Sequence, residues 1–120
     1  MRRGDVVLAQ FDPALGGEAT KARPCIIVSN AGANRAIDRA KRGAYVVVPL
    51  TSRVDYLHPG SHVLIDDADA IEGMGLRTVS KVQTEQIRAI SVERVYETLG
   101  RTPSWIMYQV DDAMRFHLSL

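Results

Sequence analysis

The stretch KARPCIIVSN, residues 21–30, decides the fold of this chain. Its uninterrupted apolar run CIIV predicts a short strand that is buried on both faces. Pro24 suits the start of such a strand, because proline cannot donate a hydrogen bond to a neighbouring strand. Proline also disfavours helical geometry in the residue before it, so the backbone of Arg23 is predicted to be extended. The stretch therefore holds a guanidinium on stiff backbone at the mouth of a core strand.

Several more short strands are predicted along the chain. Turn residues separate segments that are apolar or alternate between apolar and polar side chains, and these segments lie at 5–11, 24–30, 44–50, 61–66, 77–83 and 95–100. In the fifth segment Val79 and Val82 break the alternation, which indicates a bulge or an early exit from the sheet. Short strands in this number predict a small antiparallel barrel or sandwich, in a single domain over residues 1–120.

The connections and the C-terminus follow other patterns. Residues 12–22 and 52–60 predict long loops, 31–43 could hold a short helix, and 67–75 predicts an irregular crossing. After Thr102 as a cap and Pro103 as the first helical residue, a terminal helix of about 16 residues is predicted. Four residues fall at helical spacing within it, namely Ile106, Val110, Ala113 and His117. The fold class is therefore mainly β with a C-terminal helix.

The composition excludes several classes of protein. With 120 residues, 46% of them hydrophobic and 24% charged, the chain is neither disordered nor fibrous. No apolar run approaches the ~18 residues of a membrane helix, and the N-terminus lacks the pattern of a signal peptide. The lone Cys25 excludes an internal disulfide and is interpreted as a core thiol, and no Cys/His cluster suggests zinc. We expect a soluble cytoplasmic protein, not associated with a membrane, without metal or cofactor.

Charge is distributed unevenly although the net charge is only +1. Residues 1–60 contain nine Lys/Arg and five Asp/Glu, while residues 61–120 contain six and nine. The basic half is compatible with an anionic ligand, and ordinary solvated surface charge is the alternative for most of these residues.

Two strand ends carry the strongest candidate chemistry. Arg23 offers five donors in a planar fork that fits a phosphate, unless it pairs with a local acid such as Glu18. Thr51 and Ser52 follow the strand at 44–50, where hydroxyls either cap a turn or donate to an oxyanion. Since neighbouring strands can bring their ends together, a cation beside a hydroxyl is the more informative signal.

Polar and aromatic residues elsewhere are weaker candidates. Glu85, Gln86 and Arg88 cluster in TEQIRAI at 84–90, where Gln86 could contact the edge of a nucleic-acid base or fix the loop of Arg23, and a polar turn is the alternative. His58 and His62 could form an acid/base pair of the kind some ribonucleases use. The remaining candidates for special roles are interpreted as packing residues or as part of a helix face: Trp105, Tyr108 and His117.

Taken in order, these motifs resemble the MazF/PemK toxins of bacterial toxin–antitoxin pairs. The matching segments are RRGDVVLAQFDP, RPCIIVSN, VVVPLTS and EQIRAI, followed by the terminal helix, and together they span nearly the whole chain. The resemblance implies an SH3-like antiparallel barrel, a homodimer, and a cognate antitoxin with an acidic disordered tail. It also implies a metal-independent endoribonuclease, an mRNA interferase that cuts single-stranded RNA at a short sequence.

The resemblance assigns roles to particular residues. The arginine of the family's Arg-Pro motif falls on Arg23, its threonine on Thr51, and its glutamine on Gln86. Some members also carry an Arg-x-Asp just before the glutamine and a histidine in the first loop. This chain has Gln83 and Glu85 at the former positions and Gly17 at the latter. A mechanism with aspartate and arginine as the acid/base pair is therefore not expected here. A mechanism centred on Arg23 and Thr51 is expected instead.

The expected reaction is attack of the RNA 2′-OH on its adjacent phosphorus, giving a 2′,3′-cyclic phosphate and a 5′-OH. Catalysis is assigned to Arg23 and Thr51. The other candidate contacts to the substrate are Lys21, Ser52, Arg53, Tyr56, Glu85 and Gln86, with Tyr56 as the stacking residue. The alternative functions are a gyrase-binding toxin of the same fold, whose Trp-Gly-Ile tail this chain lacks, and a generic SH3-like adaptor.

Overall fold

The computed structural model describes residues 1–11 and 22–120, and every structural statement below concerns those residues. The elements in chain order are β1 (Asp5–Ala9), β2 (Arg23–Ile27), α1 (Ala31–Ala40), β3 (Ala44–Thr51), β4 (His62–Ile65), α2 (Ala68–Gly73), β5 (Ser80–Gln83), β6 (Arg88–Ser91), β7 (Val95–Arg101) and α3 (Ser104–Leu118). Two 3₁₀ turns, Thr84–Gln86 and Val92–Arg94, flank β6. The mainly β class with a C-terminal helix is confirmed.

All observed strand pairings are antiparallel. The hydrogen-bonded order is β4-β5-β3-β2-β1-β7, and β6 pairs with the first half of β3. The long strand β3 therefore changes partner along its length, with β6 against Ala44–Val47 and β5 against Leu50–Thr51. Within the described residues the path ends at β4 and β7 without a pairing between them, so the strands form a curved sheet rather than a closed hydrogen-bonded barrel.

The core lies on both faces of the sheet, as the run CIIV predicts. One cluster contains Ile26 and Val48 together with the buried side of α3, while the other contains Cys25, Ile27 and Val47. Adjacent residues of β2 thus enter opposite clusters, which is the period of two that a strand imposes.

The C-terminal helix packs against the first cluster. Ile106, Val110 and Ala113 are buried there, which confirms the predicted helical spacing. At the N-terminus of the chain, Arg3 donates through Nη2 to Asp111 of the helix at 2.6 Å. The helix begins one residue later than predicted, because Pro103 occupies the N-cap position and Thr102 is buried with its backbone N–H bonded to Gly4 O at 2.8 Å.

Two elements differ from the sequence-based expectation. The segment 67–75 is not irregular throughout, because Ala68–Gly73 forms α2, with the Asp67 carboxylate accepting from the Ala70 N–H at 3.0 Å. Strand β6 begins within the segment 84–90, for which the sequence predicts no strand, and ends one residue beyond it at Ser91. By contrast the short helix expected in 31–43 is present as α1, capped by Asn30. Both missed elements are six residues or shorter, too short for a periodic signal.

Candidate functional site

Arg23 and Thr51 are brought together by the register between β2 and β3. The observed pairs are Cys25 with Pro49, Ile26 with Val48 and Ile27 with Val47. Continuing this register by two residues sets Arg23, the first residue of β2, opposite Thr51, the last residue of β3. Directly opposed residues in an antiparallel pair present their side chains on the same face. The expected pairing of a cation and a hydroxyl at neighbouring strand ends is thus a property of the fold.

Both side chains reach solvent from this position. Arg23 is exposed and Thr51 is half-buried. The Thr51 hydroxyl accepts a hydrogen bond from the backbone N–H of Arg53 at 3.2 Å, which fixes the oxygen and leaves its own proton available for an acceptor. The alternative partner of Arg23, Glu18, and the predicted contact Lys21 lie outside the described residues.

A cleft of about 500 Å³ lies beside this pair. Pro24, Thr51 and Ser52 line one side, and the segment from Gly75 to Thr78 lines the other. Ser52 and Arg53 are both exposed, so these two predicted substrate contacts flank Thr51 on the solvent side. Arg23 is not itself among the lining residues, although its neighbours Ala22 and Pro24 are, and Glu97 adds a carboxylate to the wall.

Lys81 is a buried cation that the sequence did not single out. It stands opposite Thr51 in the β3–β5 pair and is only 6% exposed. Its ammonium donates to the backbone oxygen of Tyr56 at 2.5 Å and lies 5.8 Å from the centroid of the Tyr56 ring. The loop 52–60 is thereby tied to the strand next to Thr51, while the Tyr56 ring stays 60% exposed. The sequence signal nearest to Lys81 is the break in alternation at Val82, the next residue.

Glu85 and Gln86 occupy the 3₁₀ turn between β5 and β6. Gln86 is exposed, whereas Glu85 is half-buried and bonded to His62, with Nε2 and Oε1 3.0 Å apart. The Nδ1 atom of His62 accepts from the backbone N–H of His58 at 2.7 Å. A neutral His62 must therefore carry its proton on Nε2 and donate it to Glu85.

The His58–His62 pair has a structural arrangement that the acid/base hypothesis did not foresee. The two ring centroids are 5.9 Å apart, and no hydrogen bond joins the rings. Because both nitrogens of His62 are engaged, this residue orders the loop and holds Glu85. An acid/base pair exchanges protons with the substrate and needs no bond between its imidazoles, so that hypothesis stays a prediction.

Arg88, like Lys81, is a cation to which the sequence analysis assigned no specific role. It stands opposite Val47 in the β3–β6 pair, on the face that carries the second core cluster. Its guanidinium lies 5.4 Å from the centroid of the Phe11 ring, a cation–π distance. Arg88 therefore places a second positive charge on the same face as Arg23.

Cys25 behaves as the predicted core thiol. It is fully buried, and burial raises its pKa to about 12. A thiol held neutral in this way is neither a nucleophile nor a metal ligand at neutral pH. In the described part of the chain no group of three His, Cys, Asp or Glu residues is placed to hold a metal ion. Nor is any helix there long and apolar enough to cross a membrane.

The fold and the strand-end pair together define a class: a small antiparallel β protein that presents a cation and a hydroxyl from adjacent strands, backed by a C-terminal helix. The chain belongs to the family of PemK-like, MazF-like toxins of type II toxin–antitoxin systems, whose family model matches residues 2–118. The resemblance drawn from the four sequence motifs is confirmed.

Two relatives illustrate the similarity in sequence. Endoribonuclease MazF9 of Mycobacterium tuberculosis is 38% identical over 120 residues, which cover 100% of this chain and 98% of the relative. Endoribonuclease PemK of Escherichia coli is 33% identical over 111 residues, covering 92% of this chain and 76% of the relative.

Solved structures show the same fold at lower identity. A MazE–MazF structure from Deinococcus radiodurans matches with a TM-score of 0.77 at 23% identity, covering 100% of this chain and 96% of the other. An endoribonuclease in complex with its cognate antitoxin, from a mycobacterial species, matches with a TM-score of 0.72 at 22% identity and the same two coverages. The curved sheet with its terminal helix is therefore an architecture found in this toxin family.

Proposed function

We propose that the chain is a toxin endoribonuclease that cuts single-stranded RNA at a short sequence, without a metal ion. The observation that supports the proposal is the β2–β3 register, which, continued two residues beyond the last observed pair, brings Arg23 opposite Thr51 at the edge of an open cleft. The names of the relatives, both endoribonucleases, support the same reaction class. A cytoplasmic location follows from an RNA substrate.

The proposed reaction is a transesterification within the RNA. The 2′-OH attacks the adjacent phosphorus, the bond to the 5′ oxygen of the next nucleotide breaks, and the products are a 2′,3′-cyclic phosphate and a 5′-OH. Since the RNA supplies its own nucleophile, the protein has to stabilise charge and assist proton transfer. This reaction requires a cation and a hydrogen-bond donor at one phosphate, and Arg23 and Thr51 are proposed to supply them.

Arg23 is assigned to the charge on the phosphorane. A guanidinium stays protonated at neutral pH and cannot act as the base, so its part is electrostatic stabilisation with donation to the non-bridging oxygens. Thr51 donates its hydroxyl proton to the same oxygens, because its oxygen is already occupied by the Arg53 N–H. The exposed residues Ser52 and Arg53, which follow Thr51, are assigned to binding the RNA, as are the exposed Gln86 and Lys21 from the preceding loop.

The test is cleavage of a defined single-stranded RNA in EDTA, with end-group analysis of the products. Removing one donor to a developing oxyanion costs about 10²–10³ in rate, so Arg23→Ala and Thr51→Val should each lose at least that much. Arg42→Ala is the matched control, since Arg42 is exposed and precedes the far end of β3, about 23 Å of strand from Thr51. Near-normal cleavage by Arg23→Ala would refute the assignment.

The same experiment separates the rival functions. The gyrase-binding alternative predicts intact RNA and retention of gyrase on a column carrying the protein. An SH3-like adaptor predicts neither. No feature of the described residues favours either alternative over cleavage.

The proposed partners are a second copy of the chain and a cognate antitoxin. The basic first half of the sequence, nine Lys/Arg against five Asp/Glu, complements an acidic disordered tail. Such a tail would cover the groove that binds RNA. Sedimentation of the free protein tests the homodimer, and competition between an acidic antitoxin peptide and RNA tests the shared surface. Simultaneous binding of both at full strength contradicts it.

A further inference from the structure

The helix α1 carries two arginines that no carboxylate neutralises. Arg35 and Arg39, the arginine pair, are one turn apart, and helical spacing sets both on the face turned away from the buried Asn34. Both are exposed, and within residues 1–11 and 22–120 neither side chain forms an ion pair or a hydrogen bond. Lys41 and Arg42 follow the helix, where its spacing no longer sets the direction of a side chain, so the assignment below is confined to the arginine pair.

Asp38 is the acid that would ordinarily neutralise the arginine pair. It lies three residues from Arg35, the same spacing at which Asp112 and Arg115 of α3 form an ion pair, with Oδ1 and Nη1 3.0 Å apart. Both carboxylate oxygens of Asp38 are instead engaged elsewhere, since the Tyr45 hydroxyl donates to Oδ1 at 2.5 Å and the N-terminal ammonium donates to Oδ2. The positive charge of the arginine pair is therefore not cancelled within α1.

Helix stability accounts for only one of the two arginines. Arg39 lies in the last turn of α1, where a positive charge interacts favourably with the helix dipole. Arg35 is the fifth of ten residues, and the effect of the dipole does not extend that far from the end of the helix. Two like charges one turn apart also repel each other. An anionic partner outside the chain would account for both residues.

The arginine pair belongs to the face of the sheet that carries the proposed catalytic residues. Ile37 of α1 packs against the second core cluster, to which Cys25 also belongs. Arg23 comes two residues before Cys25 in β2, so its side chain lies on that same face. Arg88, opposite Val47, lies on this face about halfway along β3. Positive charge is thus present at both ends of β3 and in the middle.

The distance between the two ends suits a single strand of RNA. The helix α1 joins the ends of β2 and β3 that are remote from Arg23 and Thr51. Along β3, from Ala44 to Thr51, seven steps of about 3.3 Å give about 23 Å. Grooves of small β proteins that follow a single strand typically hold roughly 4–16 nucleotides. RNA that is cut at the strand ends is therefore long enough to continue along this face to α1.

We infer that the arginine pair binds phosphates of the RNA that flanks the cut, independently of its sequence. The inference rests on the proposed function and adds a second contact to the same substrate. A guanidinium pairs with a phosphate through two parallel hydrogen bonds, and phosphate contacts position a nucleic acid without reading its bases. The sequence of α1, AGANRAIDRA, contains no aromatic residue on which a base could stack. The contact therefore adds affinity for long RNA without changing the sequence that is cut.

The first experiment measures the salt dependence of binding by fluorescence anisotropy. The probe is single-stranded DNA of about 30 nucleotides, longer than such a groove and not cleavable because it lacks the 2′-OH. Each phosphate contact to a single strand contributes about 0.7 to the slope of log K against log salt concentration. Arg35→Gln should reduce that slope by about 0.7, and Arg35→Gln with Arg39→Gln by about 1.4, which is roughly a 25-fold loss of affinity at about 0.1 M salt. Arg115→Gln, at an exposed arginine already paired with Asp112, is the matched control and should leave the slope unchanged.

The second experiment measures cleavage of an RNA of similar length that has its cut site near the middle. The double variant should raise KM by a similar factor at unchanged kcat, because the arginine pair is remote from the reacting phosphate. The cut positions should be the same in wild type and variant, since the contact reads no base. Circular dichroism confirms that each variant is folded.

The outcomes separate this inference from the proposed function. An unchanged salt slope in the double variant overturns the phosphate contact and leaves the endoribonuclease intact. A reduced slope with an unchanged KM also overturns the inference, because the arginine pair then binds nucleic acid other than the substrate. Loss of affinity for an acidic antitoxin peptide, with binding of nucleic acid unchanged, assigns the helix face to the antitoxin and overturns it as well. If wild type cuts no RNA, the proposed function fails, and the salt slope still decides whether α1 binds phosphates.

Discussion

A single methyl group at Gly100 should destabilise the protein more than the same group at Gly73. Gly100 lies in β7 against the segment that follows α2, and a Cβ built on it would sit 2.4 Å from Gly73 O and 2.5 Å from the carbonyl carbon of Met74. Both obstacles are backbone atoms, so no side chain can turn aside. On Gly73 itself a Cβ meets nothing within 4 Å. The two alanine variants therefore add the same atoms on the two sides of one contact, and only one of them clashes.

The magnitude follows from overpacking. Forcing an extra methyl into a close contact costs typically about 1–3 kcal/mol. For a chain of 120 residues this lowers the melting temperature by roughly 4 °C per kcal/mol, or about 4–12 °C for Gly100→Ala. Gly73→Ala, at the last residue of α2, should be neutral or slightly stabilising because alanine is the better helix former. Thermal unfolding followed by circular dichroism, at one protein concentration for all three proteins, measures both.

The melting temperature of Gly100→Ala tests whether the turn after α2 covers the edge strand β7. The hydrogen-bonded path ends at β7 and β4, and the turn after α2 packs on β7 through Gly75 as well, where a Cβ would sit 2.2 Å from Leu99 O. If Gly100→Ala melts within about 1 °C of wild type, the two backbones are not in contact and the gap between the end strands is closed in another way.

Three further predictions concern single side chains. Burial raises the pKa of Cys25 to about 12, so the thiol should not react with a thiol reagent at pH 8 in the native state, and fast labelling without urea would contradict this. The contribution of Cys25 to the free energy of unfolding is present below pH 9.0 and is lost as the pH rises through about 12. The N-terminal ammonium and the Tyr45 hydroxyl lower the pKa of Asp38. The contribution of Asp38 to the free energy of unfolding is therefore present above pH 3.8 and is lost as the pH falls through the lowered pKa. Asp38→Asn should therefore flatten the acid limb of stability, and an unchanged limb in urea titrations refutes the cause. Lys81→Met, which frees the Tyr56 carbonyl, should raise KM for RNA by roughly tenfold with a smaller change in kcat, and an unchanged KM refutes the positioning role.

The sequence predicted the parts of the fold that bury continuous or alternating apolar runs. The segments around 5–11, 24–30 and 44–50 became β1, β2 and β3, since each has enough apolar residues to fix both its type and its faces. The α2 helix and β6 were missed because their stability comes from a cap at Asp67 and from pairing with β3, and neither leaves a periodic pattern in so few residues.

The candidate site was predicted in a similarly uneven way. Arg23 and Thr51 could be proposed from the sequence because each follows from a local rule about strand ends. Lys81 was missed because a buried lysine depends on the carbonyl it reaches, here that of Tyr56, 25 residues away in the chain. The bond between His62 and Glu85 spans 23 residues and was equally invisible to local reasoning.

The register of β2 against β3 links the core to the chemistry. A slip of one residue would set Arg23 opposite Leu50 or Ser52 instead of Thr51, and it would also turn one strand over relative to the other. Ile26 would then leave the first core cluster, or its neighbour Cys25 the second, and both are fully buried. Burying one such side chain contributes about 1.5–3 kcal/mol, and several change face together. Burial of the apolar run CIIV thus fixes the register that keeps the guanidinium of Arg23 opposite the hydroxyl of Thr51. The stiffness that Pro24 adds at the strand start is effective only because core packing fixes this register.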